Sequence, residues 1–199
     1  MKRDLKKGTA MKIVVIMIVV CLASIILHGE MLMKSEDKAR EIARSKLKEA
    51  AHLEDPKLCE LWVGAELEEG FLVYTREEKP SYWCFPVVKN DKVLGFIRIN
   101  YKLGIVRSWG FMGNVVNNPE DPSMWPKQYK ISAEDARAKA NSIISKYEDV
   151  EVRGPIYVIV QGEAWMFVLE KDNKVVTRVF VIDQFVWEEK EKPSSFYMR

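Results

Sequence analysis

Metal-ligating and nucleophilic side chains are scarce in this sequence of 199 residues, which contains two histidines and three cysteines. No histidine and cysteine lie at a spacing typical of a zinc site, so we expect no metal centre and no cofactor. No glycine-rich loop opens a helix, which excludes the common phosphate-binding motifs. The formal net charge is only +2, whereas nucleic-acid-binding domains usually carry a strong basic excess. The sequence therefore predicts neither an enzyme nor a nucleic-acid-binding protein.

A basic tail and an apolar run begin the chain. Residues 1–12 contain five lysines and arginines and one aspartate. No charged residue occurs from Ile13 to Leu27, and with its flanks this run can cross the ~30 Å hydrocarbon core of a bilayer. We predict a cytoplasmic tail at 1–12 and a transmembrane signal anchor at 13–29. By the positive-inside rule, the remainder of the chain lies outside the cell membrane.

A cleaved signal peptide is the alternative interpretation of the same segment. The small-x-small site at Cys21-Leu22-Ala23 would leave an apolar N-terminus on the mature chain. For that reason we favour the uncleaved anchor.

Two units with the same order of elements follow the apolar run. Each begins with an amphipathic helix, at 36–51 and at 133–147, and each continues as a series of short strands separated by turn residues. The predicted fold class is α+β, with an N-terminal transmembrane helix followed by two small domains, each a helix on an antiparallel sheet. The domain boundaries are 34–112 for the first unit, 113–130 for a proline-rich linker without a helix, 131–187 for the second unit and 188–199 for a flexible tail.

The second helix begins Ser132-Ala133-Glu134-Asp135-Ala136, with alanine again at Ala140. Together with the polar hairpin at 171–174, this pattern resembles the PepSY domain, a family with a cystatin-like helix-on-sheet fold. The resemblance implies an extracytoplasmic location, tandem domains behind an anchor, and a role in restraining peptidases. It transfers no catalytic residue.

Two cysteines follow the anchor, Cys59 and Cys84. Outside the membrane they would face an oxidising compartment, where a disulfide could form between them. Two reduced, buried thiols in neighbouring strands are the alternative.

Most of the six tryptophans alternate within predicted strands, which is typical of core packing. Trp109 and Trp125 border the linker, and we name them as candidates for a groove between the two domains.

These observations favour a membrane-anchored, extracytoplasmic module that binds a protein or peptide, with restraint of a peptidase as one form of that role. Pairing of a partner with an open sheet edge would be a natural mechanism. A structural or assembly factor of the cell envelope, without inhibitory activity, is the alternative. The predicted partners are the membrane, crossed once, and an extracytoplasmic polypeptide.

Overall fold

The computed structural model describes residues 35–51 and 56–190. Within these ranges the helices are α1 (Glu36–Ala50), α2 (Pro56–Trp62), α3 (Gly113–Asn117) and α4 (Ala133–Ile144). The strands are β1 (Glu66–Leu67), β2 (Phe71–Thr75), β3 (Pro80–Lys89), β4 (Lys92–Asn100), β5 (Val106–Phe111), β6 (Glu151–Ile159), β7 (Glu163–Lys171), β8 (Lys174–Ile182) and β9 (Phe185–Lys190). The α+β class is confirmed.

The predicted transmembrane segment at 13–29 lies outside the described residues. In the part of the chain that the structure describes, no helix has the length and apolar character needed to cross a bilayer.

The two long helices begin where the sequence predicts. The Ser35 side chain accepts a hydrogen bond from the backbone N–H of Lys38 at the start of α1. The Ser132 hydroxyl accepts one from the backbone N–H of Asp135 at the start of α4. Each serine thus satisfies one of the N–H groups that a helix leaves without an intrahelical partner.

Matching hairpins define the two meanders. The β3–β4 turn at Asn90-Asp91 and the β7–β8 turn at Asp172-Asn173 both join paired lysines, and all four turn residues have positive φ. Two consecutive left-handed residues are typical of type I′ turns, which suit the twist of antiparallel strands. The sequence predicts a hairpin at each of these two polar pairs, since each separates two predicted strands, and both hairpins are confirmed.

One continuous sheet contains both meanders, whereas the sequence predicts a separate antiparallel sheet in each unit. The strand order is β5-β4-β3-β2-β6-β7-β8-β9, and β1 pairs with β3 beside this path. β2 and β6 run parallel and pair only through Tyr74–Val158 and Thr75–Ile159. This short parallel contact joins the two units, while all other pairs are antiparallel.

Equivalent residues form the core under each helix. Below α1 the cluster includes Ala39, Ala43, Phe85, Val87, Ile97 and Ile99. Below α4 it consists of Ala136, Ala140, Phe167, Leu169, Val179 and Val181. The two units therefore bury their helices in the same way, through alanines that allow a close approach to branched and aromatic strand residues.

The two helices lie on opposite faces of the sheet. α1 packs on the side of Phe85, and Cys84, its neighbour on β3, points to the other face. Cys84 shares a cluster with Tyr157, which pairs with Trp165, and Trp165 packs against the core of α4. The face below α4 is thus continuous with the Cys84 face of the first unit.

Two predictions about local structure are wrong. The sequence pattern over Leu58–Leu67 predicts the first strand of the series, but this stretch is mostly helix α2, and only Glu66–Leu67 is strand. Pro56 stands at the first position of that helix, where a missing N–H costs nothing. The linker also contains helix α3, which ends at Asn117 before the first linker proline, so its prolines do not prevent a short helix.

Candidate functional site

A buried carboxylate lies where the two units meet. Glu163 begins β7, and its side chain is 8% exposed. The Nε of Arg98, from the middle of β4, lies 2.9 Å from Glu163 Oε1. This ion pair links strands from the two units, and its charges are held largely out of water.

Two tyrosine hydroxyls also donate hydrogen bonds to this carboxylate. Tyr82 from β3 donates a short hydrogen bond to Glu163 Oε1. Tyr129 from the linker donates to Glu163 Oε2 at 2.7 Å and accepts from Arg98 at 2.9 Å. Burial raises the pKa of both tyrosine hydroxyls, and the charge of Glu163 raises it further, so the phenols remain protonated donors.

A ring of aromatic side chains surrounds the ammonium group of Lys130. Its Nζ lies 3.4 Å from the ring centroid of Phe71, 4.4 Å from that of Tyr157 and 4.7 Å from that of Trp165. The rings come from β2, β6 and β7, so the linker lysine contacts both units at once. The negative faces of such rings attract a cation. We call Phe71, Tyr157 and Trp165 the aromatic cage.

The charge of Lys130 has no direct counter-ion among the described residues. Its ammonium donates no hydrogen bond to any of them, and Glu163 acts on it only through the field of its charge. Desolvation lowers the pKa of Lys130 to about 8. Arg98 thus contacts the buried carboxylate of Glu163 directly, whereas Lys130 does not.

Two cavities meet at Lys130. One, of about 420 Å³, is lined on its apolar side by Phe71, Leu72, Tyr74, Pro155 and Ile156. The other, of about 180 Å³, is lined by residues that include Tyr129 and Glu163. Lys130, Tyr157 and Trp165 line both cavities. The larger cavity lies where β2 and β6 are adjacent but pair through only two residues of each strand.

The chemistry of this arrangement suits binding better than proton transfer. Burial raises the pKa of the Cys84 thiol to about 12, so this thiol is a poor nucleophile at neutral pH. The neighbouring phenols are held protonated as well. Among residues 35–51 and 56–190, no group of three or more His, Cys, Asp or Glu is placed to hold a metal ion.

The structure places the two candidate disulfide residues in different elements. Cys59 lies in α2 and Cys84 in β3, both are buried, and both are thiols rather than a disulfide. The structure thus agrees with the second interpretation, two reduced and buried thiols, except that Cys59 lies in a helix and not in a strand next to Cys84.

The two candidate groove tryptophans belong to separate clusters. Trp125 is 5% exposed, packs with Leu94 and Val115, and donates through Nε1 to the carbonyl of Asn118 at 2.8 Å. Trp109 packs edge-on against Trp62 in the cluster below α1. The structure therefore gives both tryptophans roles in packing and does not bring them together as walls of one groove.

Sequence reasoning missed the residues that do converge. Gln161-Gly162-Glu163 has the composition of a turn between strands, and Lys130 is the last residue of the predicted linker, so neither position indicates a site. The available signal was Arg98, a charge between Ile97 and Ile99 in an apolar strand, which indicates a buried ionic partner.

A further cavity of about 670 Å³ lies between α1 and the chain after α2, lined by residues that include Leu47, Trp62 and Val63. Its wall includes Ala51, the last described residue before the gap at 52–55. We therefore place the candidate site at Lys130, where every contributing side chain is described.

Comparison of the chain with protein-family models, with curated proteins and with solved structures finds no match. The resemblance to PepSY domains therefore rests on the helix and hairpin pattern of the sequence and stays a prediction.

Proposed function

We propose that the chain is a membrane-anchored, extracytoplasmic module that binds a protein or peptide. The observation that carries the proposal is the cavity of about 420 Å³ at the junction of the two units. Its lining is mainly apolar and aromatic and includes two charged side chains, Glu78 and Lys130. This composition and size are typical of sites that accept a small molecule or a short peptide segment.

The location of the cavity supports binding of an extended segment. β2 and β6 pair through two residues of each strand, and the cavity is lined by residues of both strands beyond that contact, Leu72 and Ile156 among them. A peptide placed there would lie beside strand backbone and between side-chain walls. This resembles the way in which extended peptides join sheets in known recognition modes.

Site-specific photo-crosslinking tests this function in cells. A photoreactive amino acid replaces Leu72 in the cavity wall, and a control replaces Glu134, which is exposed on α4. We expect a discrete polypeptide adduct from position 72 that is absent from position 134. The added substitution Ile156→Trp should remove the adduct because it fills the cavity. An adduct from neither position, or the same adduct from both, would contradict the proposal.

The same experiment examines restraint of a peptidase. Mass spectrometry of the adduct identifies the captured chain, and its peptidase activity is then measured with and without the full-length protein. We expect lower activity in the presence of the wild-type protein than of the Ile156→Trp variant. Equal peptidase activity with both proteins would contradict restraint of the peptidase but not the proposed binding function.

The extracytoplasmic location is tested separately by labelling. A cysteine introduced at Glu134, which is exposed, should react with a membrane-impermeant maleimide in intact cells. A cysteine introduced at Lys6 in the basic tail should react only after lysis. Labelling of Lys6→Cys before lysis, without labelling at position 134, would reverse the proposed topology.

A structural or assembly role in the cell envelope is the second candidate. The continuous sheet favours it, because one set of strand hydrogen bonds runs through both units and holds α1 and α4 on opposite faces. Replacement of residues 35–190 by an unrelated domain of similar size should then preserve function. Loss of function with a folded replacement would favour specific binding.

A further inference from the structure

We propose that the cavity beside Lys130 receives an apolar molecule that ends in a carboxylate, and that the Lys130 ammonium is the group that binds this carboxylate. The inference rests on the proposed binding function and specifies the class of ligand. A polypeptide C-terminus with apolar last residues and a short fatty acid share this chemistry, so the test distinguishes the two sources.

The positive charge at the site lacks a partner. Glu163 is already engaged by Arg98 and by the hydroxyls of Tyr82 and Tyr129. Lys130 donates no hydrogen bond to any described residue, although an ammonium group carries three donors. Removal of polar groups from water is costly unless they are hydrogen-bonded. A ligand carboxylate would supply the missing acceptor and balance the second cation.

The aromatic cage positions the ammonium without consuming its donors. Its three rings lie 3.4–4.7 Å from Nζ and stabilise the charge through their faces. Ring faces accept N–H groups only weakly. The cage thus fixes Lys130 between the two cavities and leaves it able to form charge-assisted hydrogen bonds to an oxyanion.

The other residues that line the larger cavity are mainly apolar. Leu72, Tyr74, Pro155 and Ile156 line the cavity together with the cage rings. The one carboxylate among the described residues that line this cavity, Glu78, is already paired with Arg153. A ligand with an apolar body and one terminal negative charge matches an apolar lining that contains one unpaired ammonium group. A ligand with a neutral or cationic end would leave Lys130 without a hydrogen-bond acceptor.

Burial keeps the phenols and the thiol near Lys130 protonated at moderate pH. The phenols of Tyr129 and Tyr157 and the thiol of Cys84 have raised pKa values because they are buried. Arg98 stays charged, and Asp183 is an exposed carboxylate on the smaller cavity. Because the pKa of Lys130 is about 8, binding of an anion should weaken as the pH rises above that value.

Calorimetric titration of the full-length chain in lipid nanodiscs tests this inference, with empty nanodiscs as the blank. The probes are acetyl-Leu-Val-Phe with a free carboxylate, the same peptide as its C-terminal amide, and hexanoate. We expect the peptide acid to bind at least tenfold more tightly than the amide. Tighter binding of the peptide acid than of hexanoate indicates a polypeptide end, whereas comparable binding of hexanoate indicates a fatty acid; either result supports the carboxylate site.

The variants Lys130→Met and Lys127→Met separate the proposed role from a general effect of charge. Lys130→Met keeps most of the apolar stem and should weaken binding of the peptide acid at least tenfold, without changing the binding of the amide. Lys127→Met removes an exposed linker charge and should leave both affinities unchanged. Wild-type affinity for the acid should fall between pH 7 and pH 9.5, and the affinity of Lys130→Met should not.

Equal binding of the acid and the amide, or unchanged binding of the acid by a folded Lys130→Met variant, would overturn the inference. The photo-crosslinking experiment distinguishes this failure from failure of the binding function. An adduct at position 72 that persists in Lys130→Met would leave a binding module whose ligand does not use the ammonium.

Discussion

The ion pair at the unit junction gives a sharp stability prediction through Glu163→Gln. Glutamine keeps the shape of the side chain but removes the charge that faces Arg98 and Lys130. It also replaces one of the two acceptor oxygens by an NH₂ group, so one of the two tyrosine hydroxyls loses its acceptor. The substitution leaves two cations at the junction without a buried carboxylate.

The expected loss is large because the Glu163 side chain is 8% exposed. Removal of one partner from a buried ion pair typically costs about 3–5 kcal/mol, since the other charge remains buried without compensation. The Arg98 side chain is 23% exposed, so solvent relieves part of this cost. We therefore expect a loss of about 3 kcal/mol, which for a chain of this size lowers Tm by about 6–12 °C.

Thermal unfolding of the full-length chain in mild detergent, followed by circular dichroism, measures the effect. The matched control is Glu189→Gln, which breaks the 2.9 Å pair between Arg76 and Glu189, whose side chains are 43% and 37% exposed. An exposed pair contributes at most about 1 kcal/mol, so the control should shift Tm little.

The double variant Glu163→Gln/Arg98→Met should regain part of the lost stability because it removes the uncompensated arginine as well. If Glu163→Gln lowers Tm no more than Glu189→Gln does, the junction charges are solvated and the reasoning about their burial fails.

Three other predictions concern a glycine, the two cysteines and Lys130. Gly95→Ala should lower the free energy of unfolding by about 1–3 kcal/mol or more, because the added Cβ would lie 2.1 Å from a backbone oxygen of β5. The control Gly113→Ala should be nearly neutral in the same assay, since a Cβ there would have no atom within 4 Å. Alkylation of the denatured, unreduced protein should modify both Cys59 and Cys84, and protection of the two together would reveal a disulfide. The free energy of unfolding of the wild type, relative to that of Lys130→Met, should rise between pH 8 and pH 10. The pKa of Lys130 is about 8 in the folded chain and 10.5 ordinarily, so between these values the unfolded chain binds more protons than the folded one. A constant difference in stability across this pH range would contradict the prediction.

Local chemistry made much of the secondary structure predictable. Ser132 with Asp135 three residues later indicated the start of α4, and the polar pairs Asn90-Asp91 and Asp172-Asn173 indicated the hairpins. These features depend on interactions within a few residues along the chain. Sequence alone can reveal them because caps and turns use the side chain and backbone of immediate neighbours.

The errors in secondary structure have the same local origin. Asp55-Pro56 predicts an end to the first helix, but proline is also favoured in the first turn of a helix, and α2 begins at Pro56. The apolar residues Leu58, Leu61 and Trp62 fit a helix face as well as a buried strand. Short apolar segments are ambiguous in this respect, and packing decides between the two structures.

The candidate site could not be predicted in the same way. Phe71, Lys130 and Trp165 lie far apart in the sequence, and each fits a strand or a linker without any special role. Only the parallel contact between β2 and β6 brings the cage rings together around the lysine. Such contacts are non-local, and no periodicity in the chain specifies them.

The sequence by itself determined that two helix-and-meander units follow an apolar segment, and it located their caps and turns through short-range hydrogen bonding and hydrophobic alternation. Tertiary structure alone decided that the meanders join edge to edge, that α1 and α4 lie on opposite faces, and that Lys130 sits among rings from both units. The physical reason is that no local sequence pattern specifies which strand edge pairs with which. Which edges pair depends on the shape and packing of the whole sheet.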